Sequence, residues 1–252
     1  MNPAYPDHPA NLRPSAQALA GGKVLTVFSV AALEVALKRA VLRFEQNCDW
    51  QVALGFNTAP ELLAKARDAC RADVWIAPVF VLEQAAEWGL VGRHQPLAQV
   101  GVGVAVAQGQ LAPDISTLEA WQKAVRSASA VFYTHASSGQ HIHGLLSSMG
   151  MLDEVRSKAH RFDNGEAMLL ALSQGGAPPG AMAMGAISEI HSFEQRGVEC
   201  VGPLPPAIAH KTIYAWAMDV QSPRLGLAQR WVELCQQTQI WGDVARTGIE
   251  PL

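Results

Sequence analysis

Short apolar runs alternate along most of this chain with stretches in which apolar residues recur at helical spacing, the pattern of parallel strands crossed by helices. Val24 to Val30 reads as a buried strand, and Leu33, Leu37, Ala40, Val41 and Phe44 then fall on one helix face. Gln51 to Phe56 is a second strand, followed by a helix marked by Leu62, Leu63, Ala66 and Cys70. Asp73 to Ala77 is a third, with a helix through Ala85 and Trp88 that Gly89 is placed to end. These βα units predict one lobe.

Val100 to Ala107, VGVGVAVA, is an apolar strand studded with glycine, and it reads as the first crossing into a second α/β series. That series runs through a helix around Leu118 to Val125, a strand at Ala130 to Tyr133, and a helix from Ser138 whose Ile142, Leu145, Leu146 and Met149 share a face. Gly150 has the position of a C′ residue. A strand at Ala159 to Phe162, a helix at Ala167 to Leu172, a strand at Ala181 to Met184, a helix through Ile190 and a strand at Val198 to Val201 complete it. After the stiff loop GPLPP at Gly202 to Pro206, Thr212 to Met218 returns as a strand. A last helix has Ser222 and Pro223 in the favoured cap and N1 order, with Leu227, Ala228, Trp231, Leu234 and Cys235 facing the core. The expected architecture is α/β with two lobes, 20–101 plus 212–252 and 102–211, preceded by an irregular extension over 1–19. Periodicity alone also permits a single doubly wound domain.

Composition narrows the function classes. With 252 residues, 49% hydrophobic and 16% charged, the chain has the make-up of an ordinary globular protein. Its net charge of -3 offers no electrostatic footprint for nucleic acid or an anionic membrane surface. Cys48, Cys70, Cys200 and Cys235 form no C-x-x-C pair and read as reduced, mostly core residues, with two disulfides as the alternative. Neither G-x-G-x-x-G nor a P-loop occurs, so no nucleotide cofactor is expected, and no other cofactor is implied. Residues 1 to 22 hold no apolar run, and Val24 to Leu33 is interrupted by Glu34, Lys38 and Arg39. The expectation is a cytoplasmic chain with no membrane segment. A periplasmic location, with an ABC permease as partner, follows only if the true start lies upstream.

The segments VFSVAALEVALKRAVLRFE at 27–45, GFNTAPELLAKA at 55–66, RADVWIAP at 71–78 and VGVGVAVAQGQLAPDISTLEA at 100–120 resemble molybdate-type solute-binding proteins. The resemblance continues through HASSGQHIHGLLSSMGM at 135–151, MGAISEI at 184–190, VGPLPP at 201–206 and GIEP at 248–251. It implies the type II periplasmic-binding-protein fold, with a ligand cleft between two lobes. Within that group the chain is similar to a branch of substrate-binding-domain proteins that includes aconitate isomerase, which moves a proton across an allylic tricarboxylate without a cofactor. Gly185 and Ala186 stand where that branch tends to carry a Gln-Gln pair. Ala32 replaces a serine used by the molybdate binders.

Ligands of open α/β sheets sit beyond the carboxyl ends of the strands, where unpaired helix amides and a partial positive charge attract anions. Four junctions carry suitable residues: Ser29; Asn57 and Thr58; Ser137, Ser138 and Gly139; and Gly185 and Ala186. Asn164, in the turn Asp163-Asn164-Gly165, is a fifth ligand candidate. Helix capping is the competing reading for every hydroxyl and amide among them, and a plain turn for Asn164. His135, His210 and Glu189 are the candidate acid/base groups, against an ordinary surface or buried histidine and a solvated or helix-compensating glutamate. His141 and His143 point about 200° apart on a helix and cannot chelate one metal, so no metal site is expected.

The residues are compatible with a binder of a small anionic (poly)carboxylate, and the resemblance implies that it isomerises that ligand by allylic 1,3-proton transfer. The alternative is a non-catalytic solute-binding protein of an ABC importer, for molybdate-like oxyanions or carboxylates. A cytosolic ligand sensor has little to stand on, because no helix-turn-helix segment is left over.

Overall fold

The computed structural model describes residues 11–13 and 22–252. Most of the expected extension at 1–19 lies outside them. The chain forms two compact units, one running to Gln99 and resuming over Ile213–Leu252, the other Val100–Thr212. This is the two-lobed α/β fold.

In the first unit β1 (Val24–Ser29), β2 (Gln51–Phe56) and β3 (Val74–Pro78) are parallel, and β9 (Lys211–Met218), which belongs to this unit from Ile213 onward, pairs antiparallel with β3, in the order β2-β1-β3-β9. The strands read as near-continuous apolar runs because helices cover both faces of such a sheet. The covering helices are α1 (Glu34–Gln46), α2 (Ala59–Arg67), α3 (Val79–Glu87) and α9 (Leu225–Cys235). Phe44 of α1 meets Trp231 of α9 edge to face at 5.5 Å, and Phe28 meets Trp75 likewise at 5.1 Å. Strands β1 and β2 are in phase from Val24↔Gln51 to Ser29↔Phe56, so both carboxyl ends lie side by side. Beyond β2, Leu12 forms a two-bond antiparallel bridge with Leu54, and Asn11 accepts the Phe56 amide at 2.7 Å. Part of the segment expected to be irregular is therefore pinned.

The second unit contains β4 (Gln95–Ala107) from Val100 onward, β5 (Val131–Thr134), β6 (Ala159–Phe162), β7 (Met182–Ala186) and β8 (Val198–Pro203). Their order is β4-β7-β5-β6, with β8 also antiparallel to β4. Alternation along β5 and β7 divides the core. Val131, Tyr133, Met182 and Met184 join Trp121, Val125, Ile142, Leu146 and Val155, from α4 (Leu118–Ser127), α5 (Ser137–Ser148) and α6 (Leu152–Val155). Phe132 and Ala183 join Met168, Leu169, Ile190 and Phe193, from α7 (Gly165–Ser173), α8 (Ile187–Ser192) and the turn after it. Gly150 ends α5 with φ +68°, and the Met151 and Gly150 amides bond to the Leu146 and Ser147 carbonyls, as expected of a C′ glycine.

Three expectations are corrected. Strand β4 begins at Gln95, before the apolar run, because its exposed start still buries Leu97 and Ala98. Helix α9 begins at Leu225 rather than after Ser222, whose hydroxyl donates to Asp73 at 2.6 Å while accepting the Arg224 amide at 3.0 Å. All four cysteines are free, but only Cys235 is buried. Its thiol pKa is pushed far upward by that burial.

Asp73 also accepts the Thr26 amide at 2.8 Å and faces the Arg224 guanidinium at 3.5 Å, so one nearly buried carboxylate clasps β1 to the loop before α9. Asp73→Ala leaves the amide, the hydroxyl and the guanidinium without their acceptor. The expected loss is about 3 kcal/mol, seen as a lower urea midpoint at unchanged slope. A loss under about 1 kcal/mol would show the clasp to be peripheral.

Candidate functional site

Among the α-helices of the second unit, α5 alone starts with neither a side-chain cap bond nor an acidic residue in its first turn. Its N-cap is Ala136, in extended conformation, which has no side chain to bond the first amides, and the first turn holds no acidic residue. Ser137 and Ser138 occupy N1 and N2. They are half-buried, and among the described residues their hydroxyls have no hydrogen-bond partner, so they are not caps. The amides of the first helical residues have no partner within the helix, whereas Gln140 already bonds back to the Ala136 carbonyl at 2.9 Å. Gly139 has a different role from the ligand approach expected of it. A Cβ there would lie 2.0 Å from the Thr134 carbonyl oxygen, so the glycine lets α5 rest on the end of its own strand.

The start of α7 is closed by the protein itself. Asn164 is its N-cap, with Oδ1 accepting the Ala167 amide at 2.8 Å. Glu189 packs its carboxylate on Gly165, close enough that a Cβ there would meet Oε2 at 1.6 Å. A carboxylate against the first residue of a helix compensates its dipole, and this is the position Glu189 takes in place of an open catalytic one. Gly185 and Ala186 are the last residues of β7, both buried and paired with Gly103 and Val102. The space beside Gly185 is filled by the Met168 methyl, since a Cβ would come within 2.8 Å of it. Packing, not ligand access, accounts for that small residue.

The histidines separate into distinct settings. His135 is exposed after β5, with its amide bonded to the Phe162 carbonyl at 2.9 Å. His141 and His210 stack, ring centroids 4.3 Å apart and 18° from parallel, while His141 Nε2 contacts the Ile208 carbonyl at 3.2 Å. Loss of hydration pushes the His210 pKa down, and the neighbouring His141 adds to the shift. His143 turns instead to the Tyr133 hydroxyl at 3.4 Å. The sequence reading missed the His141–His210 pair because the partners are far apart along the chain.

In the first unit Ser29 ends β1 and is fully buried, and its Oγ has no hydrogen-bond partner among the described residues. It does not cap the turn that follows, whose N-cap is Val30. Asn57 extends the ladder by one bond, its amide donating to the Ser29 carbonyl at 2.8 Å. Its Nδ2 donates to the Gly55 and Ser29 carbonyls, which leaves the buried Oδ1 without a partner. Two orphaned polar atoms thus lie at adjacent strand ends, where most buried polar groups are satisfied. Thr58 is engaged in capping, because its hydroxyl and its amide both bond to Glu61 at the start of α2.

Residues 25–240 match the family described as bacterial extracellular solute-binding protein. An aconitate isomerase from a Pseudomonas species is 23% identical over 183 residues, which cover 72% of this chain and 68% of that protein. Among solved structures, the periplasmic molybdate-binding protein of Azotobacter vinelandii superposes with a TM-score of 0.72 at 12% identity, covering 89% of this chain and 98% of its own. A sulfate-binding protein of Mycobacterium tuberculosis gives 0.69 at 14% identity, with 91% and 87% covered. At these identities the structures share the fold.

The histidine stack carries a pH dependence whose sign follows from the lowered pKa. The folded state binds fewer protons at His210 than the unfolded chain does, so this contribution to stability is complete above about pH 6.5 and is lost as pH falls through the folded value. The His210 Cε1 proton is expected to titrate below about 6.5 by NMR, and His141→Ala should move that midpoint upward. A midpoint at the ordinary value, unmoved by the substitution, would contradict the pairing.

Proposed function

The chain belongs to the family of bacterial extracellular solute-binding proteins, and from that premise we propose that its solute is a small, multiply charged anion, a polycarboxylate or a tetrahedral oxyanion, whose charge is taken up by the open start of α5. The observation that carries this reading is a contrast within one unit. The start of α7 is filled by Asn164 and Glu189, whereas the start of α5 has an alanine cap, no acid and two unengaged serine hydroxyls. Free amides and hydroxyls at a positive helix end suit an anion from outside. In the first unit, considered by itself, the buried Ser29 Oγ and Asn57 Oδ1 have no partner among the described residues and are separate candidates for a polar ligand. The proteins named above for aconitate, molybdate and sulfate all handle multiply charged anions, which agrees with this class.

Thermal shift and calorimetry of the full chain with citrate, aconitate, sulfate and molybdate test the reading. A ligand at a hundredfold excess over its Kd stabilises by about 2.7 kcal/mol. Ser137→Ala with Ser138→Ala should remove most of that gain while changing the free protein by about 1 kcal/mol or less. If the double variant keeps the whole shift, the start of α5 is not the site. Ser29→Ala and Asn57→Leu report separately on the first unit, and loss of binding there assigns its orphaned atoms to the solute.

A second reading adds chemistry, and it is favoured by the isomerase relative together with a histidine biased toward its neutral form. Moving a double bond in a propene tricarboxylate removes a proton from the carbon next to one carboxylate and returns it to the other allylic carbon. No cofactor is needed if donors stabilise the enolate between the two steps. Neutral His210 is the best-placed proton acceptor of the three candidates, since Glu189 is held against α7 and His135 stands exposed. Proton NMR in heavy water should show exchange or isomerisation of aconitate, reduced at least about a hundredfold in His210→Asn but not in His135→Asn or Glu189→Gln. A bound acid that neither exchanges nor isomerises removes the catalytic reading and leaves the solute-binding one intact.

A further inference from the structure

Away from the start of α5, the second unit holds a cavity of about 330 Å³ between β5, β6, α5 and α6. This is the size range of small-ligand pockets. Its polar lining is Tyr133, His143, Arg156 and Arg161, Leu152 and Val155 are among its apolar lining residues, and no carboxylate belongs to it. Tyr133 and Arg161 are register partners on β5 and β6, which puts them on one face of the sheet. The Arg161 guanidinium lies over the Tyr133 ring at 5.5 Å. It has no acidic partner among the described residues, whereas Arg156 pairs with Asp153. Tyr133 is nearly buried, and burial raises its pKa, so the phenol keeps its proton at neutral pH.

We propose that this cavity is a second binding site, for a small organic carboxylate with an apolar body. The Arg161 fork is the geometry that grips a carboxylate through two parallel bonds. The Tyr133 hydroxyl, at 3.4 Å from His143, is placed to donate to a carboxylate oxygen, and the aliphatic lining by Leu152 and Val155 receives the body. A fully polar oxyanion gains nothing from such a lining and loses hydration on entering it. That separates this ligand class from the one proposed for α5. The inference adds a site to the solute-binding reading without depending on which solute α5 takes.

Benzoate titrated into the full chain by calorimetry is the test, with acetate and inorganic phosphate as probes lacking an apolar body. Benzoate is expected to bind saturably, at least tenfold more tightly than either. Arg161→Ala should weaken it at least tenfold and Tyr133→Phe severalfold, the phenylalanine keeping the ring in the core. The Ser137→Ala, Ser138→Ala variant should bind benzoate as the parent does, although it has lost the anion of the first site. Absence of saturable benzoate binding at millimolar concentration, retention of full affinity in Arg161→Ala, or equal affinity for phosphate would each overturn the proposal. Loss of benzoate binding in the serine variant alone would place benzoate at the start of α5, overturning this site while leaving the proposed function standing.

Discussion

Helix α5 starts where it does because residue 139 carries no side chain. With Gly139 against the Thr134 carbonyl, the first turn lies directly on the strand end, and Ile142 and Leu146 then reach the core shared with Trp121, Val125 and Val155. Any larger residue would lift the helix start away from β5, since real Cβ atoms essentially never approach a backbone oxygen so closely. The open amides, the two serines, and His141 and His143 on their opposite faces of the helix all inherit their positions from that contact. Both candidate sites of the second unit therefore depend on one missing methyl group.

Most of the α-helices carry an acidic residue in the first turn, and α5 does not. Thr58 and Glu61 close α2, and Asn164 and Glu189 close α7, each by a short polar side chain with a carboxylate added. Such closures supply what a helix end otherwise draws from water or from a ligand. Leaving α5 without one costs little while solvent can reach its amides. It also leaves the helix dipole available to an incoming anion, without committing an arginine or lysine to the task. A net charge of -3 is compatible with anion binding on this scheme, because local dipoles rather than the overall field do the attracting.

The alternation of apolar runs and helical stretches is enough to order the strands and helices along the chain, because most strands are buried apolar runs such as β1, β3, β5 and β7, while β6 (AHRF) is marked chiefly by its place between helices. Boundaries failed where polar residues belong to a strand or where a cap candidate is diverted. Gln95 and Gln99 hid the start of β4, and Ser222 bonds to Asp73, a residue far away in sequence. At the candidate site, Ser137 and Ser138 were legible as residue types at a strand-to-helix turn, but a hydroxyl that caps and one that is free look alike in sequence. Sequence alone points Gly139 and Gly185 toward a ligand and Glu189 toward acid/base chemistry, whereas Thr134, Met168 and Gly165 are what they touch. These contacts join segments that no local pattern connects. The same holds for the Tyr133, His143 and Arg161 cavity.

The bridge between Leu12 and Leu54 has a consequence for solubility. Strand β2 ends the order of strands in the first unit, and an outermost strand with free amides is a template on which another chain can add itself. The amides of Leu54 and Phe56 are already taken, by the Leu12 carbonyl and by Asn11 Oδ1, and Leu12 donates its own amide to Leu54. Asn11 and Leu12 thus act as a bumper along the most apolar part of that border, and this part of β2 is shielded from self-association without a proline or a charged side chain of its own.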